Sequence, residues 1–189
     1  MDGHIAPNLA FGSPVVSALR SATDIPLDCH LMIENPDRWA RGYAEVGARN
    51  VTVHIEAARH PVALAGDLRT AGALAGLAIS PVPAGALPDA AAALRHAARY
   101  ERRAGIQRSG VIPEVLNKVR TARRLIDNEH LRLLIEIDGG INAETIQAAA
   151  QAGVDCFVAG LAVYGTEDPA HAVASFASKR RAPQPTPNR

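Results

Sequence analysis

The sequence predicts an α/β fold with a parallel sheet, an incomplete (β/α)8 barrel, on three observations. Apolar runs of strand length alternate with segments of helical composition along nearly the whole chain, and such alternation implies parallel strands joined by crossover helices. In several of these runs polar residues recur at every second position and so share one face. The chain has 189 residues and 19.9 kDa, whereas this architecture usually takes about 200 to 250 residues, so fewer than eight units are expected.

Taken in order, residues 1–12 read as an irregular loop with Pro7 and Gly12 as breakers. Ser13-Pro14 reads as an N-cap and a first-turn proline, opening a helix from Pro14 to about Arg20. LDCHLMI, residues 27–33, is an apolar-rich strand closed by Asn35-Pro36, a second cap-and-proline pair whose helix ends near Gly47. NVTVHIE (50–56) is a strand, His60 to about Ala71 is helical in composition, and AGLAIS (75–80) is a strand. Pro113 to about Asp127 carries apolar residues at helical spacing, and LLIEID (133–138) is a strand. Asn142 caps a helix ending at Gly153, CFVAGL (156–161) is a strand, and Asp168-Pro169 opens the final helix. One domain spans 1–178, and the basic, proline-rich residues 179–189 are expected to be a disordered tail.

One segment breaks the rhythm. Residues 90–108, AAAALRHAARYERRAGIQR, have helix-forming composition and clustered arginines, with no strand where the alternation requires one. The plain reading is a solvated helix. An RNA-binding patch is disfavoured, because Tyr100 is the one side chain there able to stack on a base.

A composition of 48% hydrophobic and 21% charged residues with a net charge of +1 describes an ordinary soluble globular chain. It has no electrostatic footprint for nucleic acid or an anionic membrane. No stretch approaches the roughly 20 apolar residues that span a bilayer, and the start has neither a basic region nor an apolar signal core. The two cysteines, Cys29 and Cys156, each lie in an apolar run. They are expected to be buried and unpaired, in a reducing cytoplasm.

The polar faces locate candidate chemistry. Asp28, His30 and Met32 lie opposite Leu27, Cys29, Leu31 and Ile33; Thr52, His54 and Glu56 lie opposite Val51, Val53 and Ile55; Glu136 and Asp138 lie opposite Ile135 and Ile137. In a closed parallel barrel such a face is the interior, and strand-end residues reach the site at its mouth. His30 and Asp138 occupy comparable strand-end positions, and both can ligate a divalent metal and move protons. Asp28, Thr52 and Glu136 sit deeper, as a structural polar layer. His54 stays open between a ligand and a hydrogen-bonded core residue. Glycine turns follow two consecutive strands, Asp138-Gly139-Gly140 and Ala159-Gly160-Leu161, where such barrels commonly bind phosphate through backbone N–H groups.

MDGHIAPNLAFG, LDCHLMIENPDRW, VTVHIEA, VIPEVLNKVR, EIDGGIN and FVAGLAVYG together resemble the ribulose-phosphate 3-epimerases of the pentose phosphate pathway, over all but residues 90–110 and the tail. The resemblance implies a phosphate-binding TIM barrel that interconverts D-ribulose 5-phosphate and D-xylulose 5-phosphate at carbon 3. It implies one divalent metal, zinc, iron, manganese or cobalt, and a pentulose 5-phosphate as partner, and it leaves a homo-oligomer open. Carried over by position, His30 is a metal and substrate ligand, and Asp138 is a metal ligand and one of two acid/base carboxylates. Gly139, Gly140 and Gly160 contact the phosphate, Leu161 stands where the family usually has a serine, and Met32 packs beside the enediolate.

The departures shape the expectation. In the family, a strand bearing a His and an Asp two residues apart precedes the MDG motif at which this chain begins, and supplies two more metal ligands and the second carboxylate. Asp2 is not that carboxylate. The family's first strand, with its substrate-binding serine, is not in the chain either. With two of four ligands and one of two proton carriers, weak metal binding and little or no epimerase activity are expected. Unpaired strand edges favour instability or association. A noncatalytic sugar-phosphate-binding pseudoenzyme and a nonfunctional remnant are the alternatives. In place of residues 90–110 the family has its sixth strand and a phosphate loop of the form MSVNPGFGGQ. Permitted codons for Arg95–Gly110, read from the second nucleotide, yield DMLLVMSVEPGFSGQ. Compensating frameshifts near Leu94 and Gly110 are therefore expected in the gene or its reported sequence.

Overall fold

The computed structural model describes residues 1–4, 9–79, 100–105 and 113–180. Three helices, α1 (Ser13–Ala22), α2 (Pro36–Glu45) and α3 (Pro61–Thr70), carry Pro in the first turn, where no N–H donor is required. The caps differ from expectation. Gly12 rather than Ser13 is the N-cap of α1, and Asn35 precedes α2 in a left-handed conformation (φ 56°) without a side-chain capping bond. Asp37 in the first turn of α2 instead accepts the backbone N–H groups of Arg59 and His60, at 2.9 and 3.0 Å.

The chain forms two compact units, Met1–Arg103 with Leu131–Leu133, and Ala104–His130 with Leu134–Arg189. In the first, strands β1 (Asp28–Leu31), β2 (Asn50–His54) and β3 (Leu74–Ile79) pair in parallel, with His30 beside Thr52 and Thr52 beside Gly76. Helices α2 and α3 bury Ala40 and Ala44, and Leu64, Ala65 and Leu68, the i, i+4 stripes of amphipathic helices. Val51, Val53 and Leu77 are at most 1% exposed, as expected of strands covered on both faces.

In the second unit, α4 (Pro113–Asn128) leads to β5 (Leu133–Asp138), α5 (Ile146–Ala152), β6 (Cys156–Val158), the short α6 (Leu161–Tyr164) and α7 (Pro169–Arg180). β5 and β6 are parallel, with Asp138 beside Val158. The expected strand 156–161 is shorter than its apolar run, because the chain turns at Gly160 (φ −90°, ψ −87°) into α6. Asn142 caps the turn that precedes α5: its Oδ1 accepts the N–H groups of Glu144 and Thr145. Asp168 caps α7 through the His171 N–H at 2.9 Å.

Two further expectations are corrected. Tyr100–Gly105 is a strand, here β4, although its composition favours a helix; intrinsic propensity is a weak preference that sheet formation overrides. Cys29 and Cys156 form no disulfide, but they are half-buried rather than buried, because β1 and β6 carry partly exposed positions along their length. Residues 90–99 and 106–110 of the arginine-rich segment, and 181–189 of the tail, lie outside the described residues. Among the described residues no helix is long and apolar enough to cross a membrane.

Candidate functional site

Alternation along β1 and β2 builds a polar layer in the first unit. Asn50 Nδ2 donates to Asp28 Oδ1 at 2.8 Å and to Thr52 Oγ1 at 3.1 Å. Asn50 and Thr52 are buried, and buried amides and hydroxyls require such partners. Of the expected structural layer, Asp28 and Thr52 thus share one network, although Asp28 is exposed rather than deep. Glu136, its third member, is fully buried on β5 in the second unit.

Further toward the carboxyl ends of the same strands, two imidazoles meet. His30 Nε2 lies 2.9 Å from His54 Nε2. The ring planes are 18° apart with centres at 4.9 Å, so the nitrogens are much closer than the rings and face each other. One Nε2 carries the shared hydrogen and the other accepts it. His54 is 9% exposed; its Nδ1 is 3.6 Å from Glu56 Oε2, within electrostatic reach but too long for a hydrogen bond. Met32, one residue past β1, is half-buried.

His54 is the residue that sequence reasoning left undecided. Its place on the Thr52 face is legible from the period of two. The pairing with His30 depends on strand register, which the local sequence does not carry.

Asp2 has a structural task. Its Oδ2 accepts the Glu34 N–H at 2.6 Å and its Oδ1 the His4 N–H at 3.0 Å.

In the second unit Asp138 is the last residue of β5 and is half-buried. Gly139 and Gly140 follow with φ of 112° and 68°, values that favour glycine strongly. Thr145 fastens this turn, donating to the Gly140 carbonyl at 2.7 Å and accepting the Asn142 N–H at 3.0 Å. Because Asp138 pairs with Val158, the Gly139-Gly140 turn and Gly160-Leu161 leave the carboxyl ends of neighbouring strands. The register therefore brings the carboxylate and both glycine turns to one end of this pair. Leu161 is 87% exposed.

The site residues fall in both units: His30, Met32 and His54 in the first, Asp138, Gly139, Gly140, Gly160 and Leu161 in the second. Among the described residues, no group of three or more His, Cys, Asp and Glu side chains is placed to hold a metal ion. The donor types themselves, imidazole and carboxylate, suit a divalent transition metal.

The profile of the Ribulose-phosphate 3 epimerase family matches residues 1–164. A ribulose-phosphate 3-epimerase of Mycobacterium leprae (strain TN) is 54% identical over 189 residues, covering 100% of this chain and 84% of the relative. A ribulose-phosphate 3-epimerase of Bacillus subtilis (strain 168) is 36% identical over 178 residues, covering 93% of this chain and 82% of that one. The crystal structure of 3-keto-L-gulonate-6-phosphate decarboxylase from Vibrio cholerae O1 biovar El Tor str. N16961 superposes with a TM-score of 0.68 at 22% identity, over 89% of this chain and 78% of that one. That likeness establishes the fold class, a partial (β/α)8 barrel.

Proposed function

We propose, for a chain that belongs to the ribulose-phosphate 3-epimerase family, that its site is built to interconvert D-ribulose 5-phosphate and D-xylulose 5-phosphate by moving a proton at carbon 3. The observation that carries this reading is the β5–β6 register, which sets Asp138 beside two glycine turns. Backbone N–H groups of Gly139, Gly140, Gly160 and Leu161 bind the phosphate, since such turns let the backbone approach an anion closely. Asp138 removes or returns the carbon 3 proton on one face. His30 binds substrate oxygen, and Met32 packs against the reacting carbons.

His30 in the first unit and Asp138 in the second are the donors that the resemblance to the family assigns to a divalent metal. Such a metal would supply Lewis-acid stabilisation to the oxyanion that develops beside carbon 3.

Epimerisation requires a proton carrier on each face of the carbon. Asp138 supplies one in this reading; Asp2, whose oxygens accept the His4 and Glu34 N–H groups, is not assigned as the other. On this reading the 189-residue chain binds the pentulose phosphate and turns it over very slowly or not at all. The cytoplasm and the pentose phosphate pathway are its setting in this reading, in keeping with two cysteines that form no disulfide.

Calorimetric titration of the purified chain with D-ribulose 5-phosphate, alongside a coupled assay for D-xylulose 5-phosphate with added zinc, iron, manganese or cobalt, tests both halves. Saturable binding is expected, with Asp138→Asn binding nearly as well as the parent. Failure to bind any sugar phosphate overturns the reading. Rapid metal-dependent turnover overturns the expectation of slow or absent turnover. Slow turnover by the parent that Asp138→Asn abolishes supports the epimerase reading, and binding with no detectable turnover in either chain favours a noncatalytic sugar-phosphate-binding protein.

A further inference from the structure

The two facing imidazoles contain an asymmetry that neither residue shows alone. A hydrogen bond between His30 Nε2 and His54 Nε2 at 2.9 Å can be made in two ways, with the hydrogen on either nitrogen. In the first, His54 donates; its neutral ring then has a lone pair on Nδ1, directed toward the Glu56 carboxylate 3.6 Å away, and lone pair and anion repel. In the second, His30 donates; His54 then carries its hydrogen on Nδ1, where the carboxylate attracts it. The second is favoured. A neutral His30 that donates from Nε2 bears a lone pair, not a hydrogen, on Nδ1.

We infer that His54 is a positioning residue: backed by Glu56, it holds His30 in the tautomer that presents the Nδ1 lone pair to a cation or to substrate. The inference rests on the reading of His30 as a ligand, and it assigns to His54 and Glu56 a role in that site. The support is rigid. The His54 carbonyl accepts the N–H groups of Ala57 and Ala58, both at 3.1 Å, and the next N–H, of Ile55, bonds to Ala78 at 3.0 Å. The ring is almost fully enclosed. A carboxylate acting through one histidine on a second is the outer-sphere arrangement that fixes ring orientation and tautomer in ligating histidines.

Nitrogen-15 NMR of the imidazoles in the metal-free 189-residue chain, at a pH where both rings are neutral, reads the tautomers directly. His30 is expected to show a protonated Nε2 and an unprotonated Nδ1, and His54 the reverse. His54→Gln retains a carbonyl acceptor and should preserve the His30 pattern. His54→Phe and Glu56→Gln should replace it with an average over both tautomers. A parent protein in which His30 is protonated on Nδ1 overturns the inference, and so does a His30 pattern unchanged in both His54→Phe and Glu56→Gln.

Cobalt(II) titration separates this from the functional reading. If His30 is a ligand, His54→Phe should weaken cobalt binding about 10- to 100-fold, the usual effect of losing an outer-sphere partner, and His54→Gln should restore most of it. The expected tautomers without cobalt binding by any variant leave the positioning role standing and count against the metal reading.

Discussion

Gly76 faces Thr52 so closely across the β2–β3 register that a Cβ at Gly76 would fall on Thr52 Oγ1 and come within 3.0 Å of its Cβ. Thr52 is fixed in turn by Asn50, which also holds Asp28. Gly76→Ala therefore cannot be accommodated by turning a flexible side-chain end aside. It must displace a 0% exposed threonine or spread the strands, at about 1–3 kcal/mol for overpacking. Urea denaturation of the variant against the parent measures this, and an unchanged midpoint would show that the sheet yields freely.

Asp155 ties the start of β6 to β5 and α4. Its Oδ2 accepts the Ile135 N–H at 2.8 Å and Arg123 Nη1 at 3.1 Å. Arg123 also lies over Gly153, where a Cβ would come within 2.8 Å of its Cγ. Asp155→Ala orphans a strand N–H and a part-buried guanidinium, a loss of about 1.5–3 kcal/mol for hydrogen bonds to a charged group. Asp155→Asn keeps an acceptor for Ile135 and should lose roughly half as much. Denaturation at two salt concentrations distinguishes the terms, since only the ion pair is screened.

Tyr43 makes stability fall at alkaline pH. Burial first, and the neighbouring Cys29 thiolate second, raise its hydroxyl above the ordinary 10.0. The folded state thus holds this proton more tightly than the unfolded chain. Its contribution is fully present below pH 10.0 and is lost as pH rises through the folded value. Tyr43→Phe should flatten that alkaline limb. At neutral pH the variant loses the hydroxyl's bond to the Phe11 carbonyl (3.2 Å), worth about 0.5 kcal/mol at a solvent-accessible position. Denaturation midpoints of both chains at pH 8 and 11 decide; parallel curves would exclude Tyr43 as the source.

What could be read from the sequence follows from which forces are local. β5 matches LLIEID at both ends, because its apolar period, its length and the following glycines are adjacent along the chain. Pro36 opens a helix for the same reason. Glycines directly after two consecutive apolar runs put Asp138 and both turns at strand ends, and the β5–β6 register lays those ends side by side. The His30–His54 bond was out of reach, since it joins residues 24 positions apart through the register of two strands. Likewise, the strand at Tyr100–Gly105 runs against its local composition. Burial of the cysteines was overestimated because an apolar run shows which face a residue occupies, not how completely neighbours cover it.

Leu161 offers the sharpest test of the proposed phosphate site. It follows Gly160 as the first residue of α6 and is 87% exposed, so replacing it removes almost no buried apolar area. Serine is at least as well suited to a helix start. Where leucine can give a phosphate only its N–H, Leu161→Ser adds a hydroxyl donor beside the Gly139, Gly140 and Gly160 amides. One added donor to an anion in a solvent-open position is worth about 1 kcal/mol, roughly fivefold in affinity. Titration with D-ribulose 5-phosphate should show that tightening, with thermal stability unchanged. Gly140→Ala, which strains a residue at φ 68° by about 1–2 kcal/mol, should shift binding the other way. If neither substitution moves the affinity for sugar phosphate or for inorganic phosphate, the anion binds elsewhere and the glycine turns are turn chemistry alone.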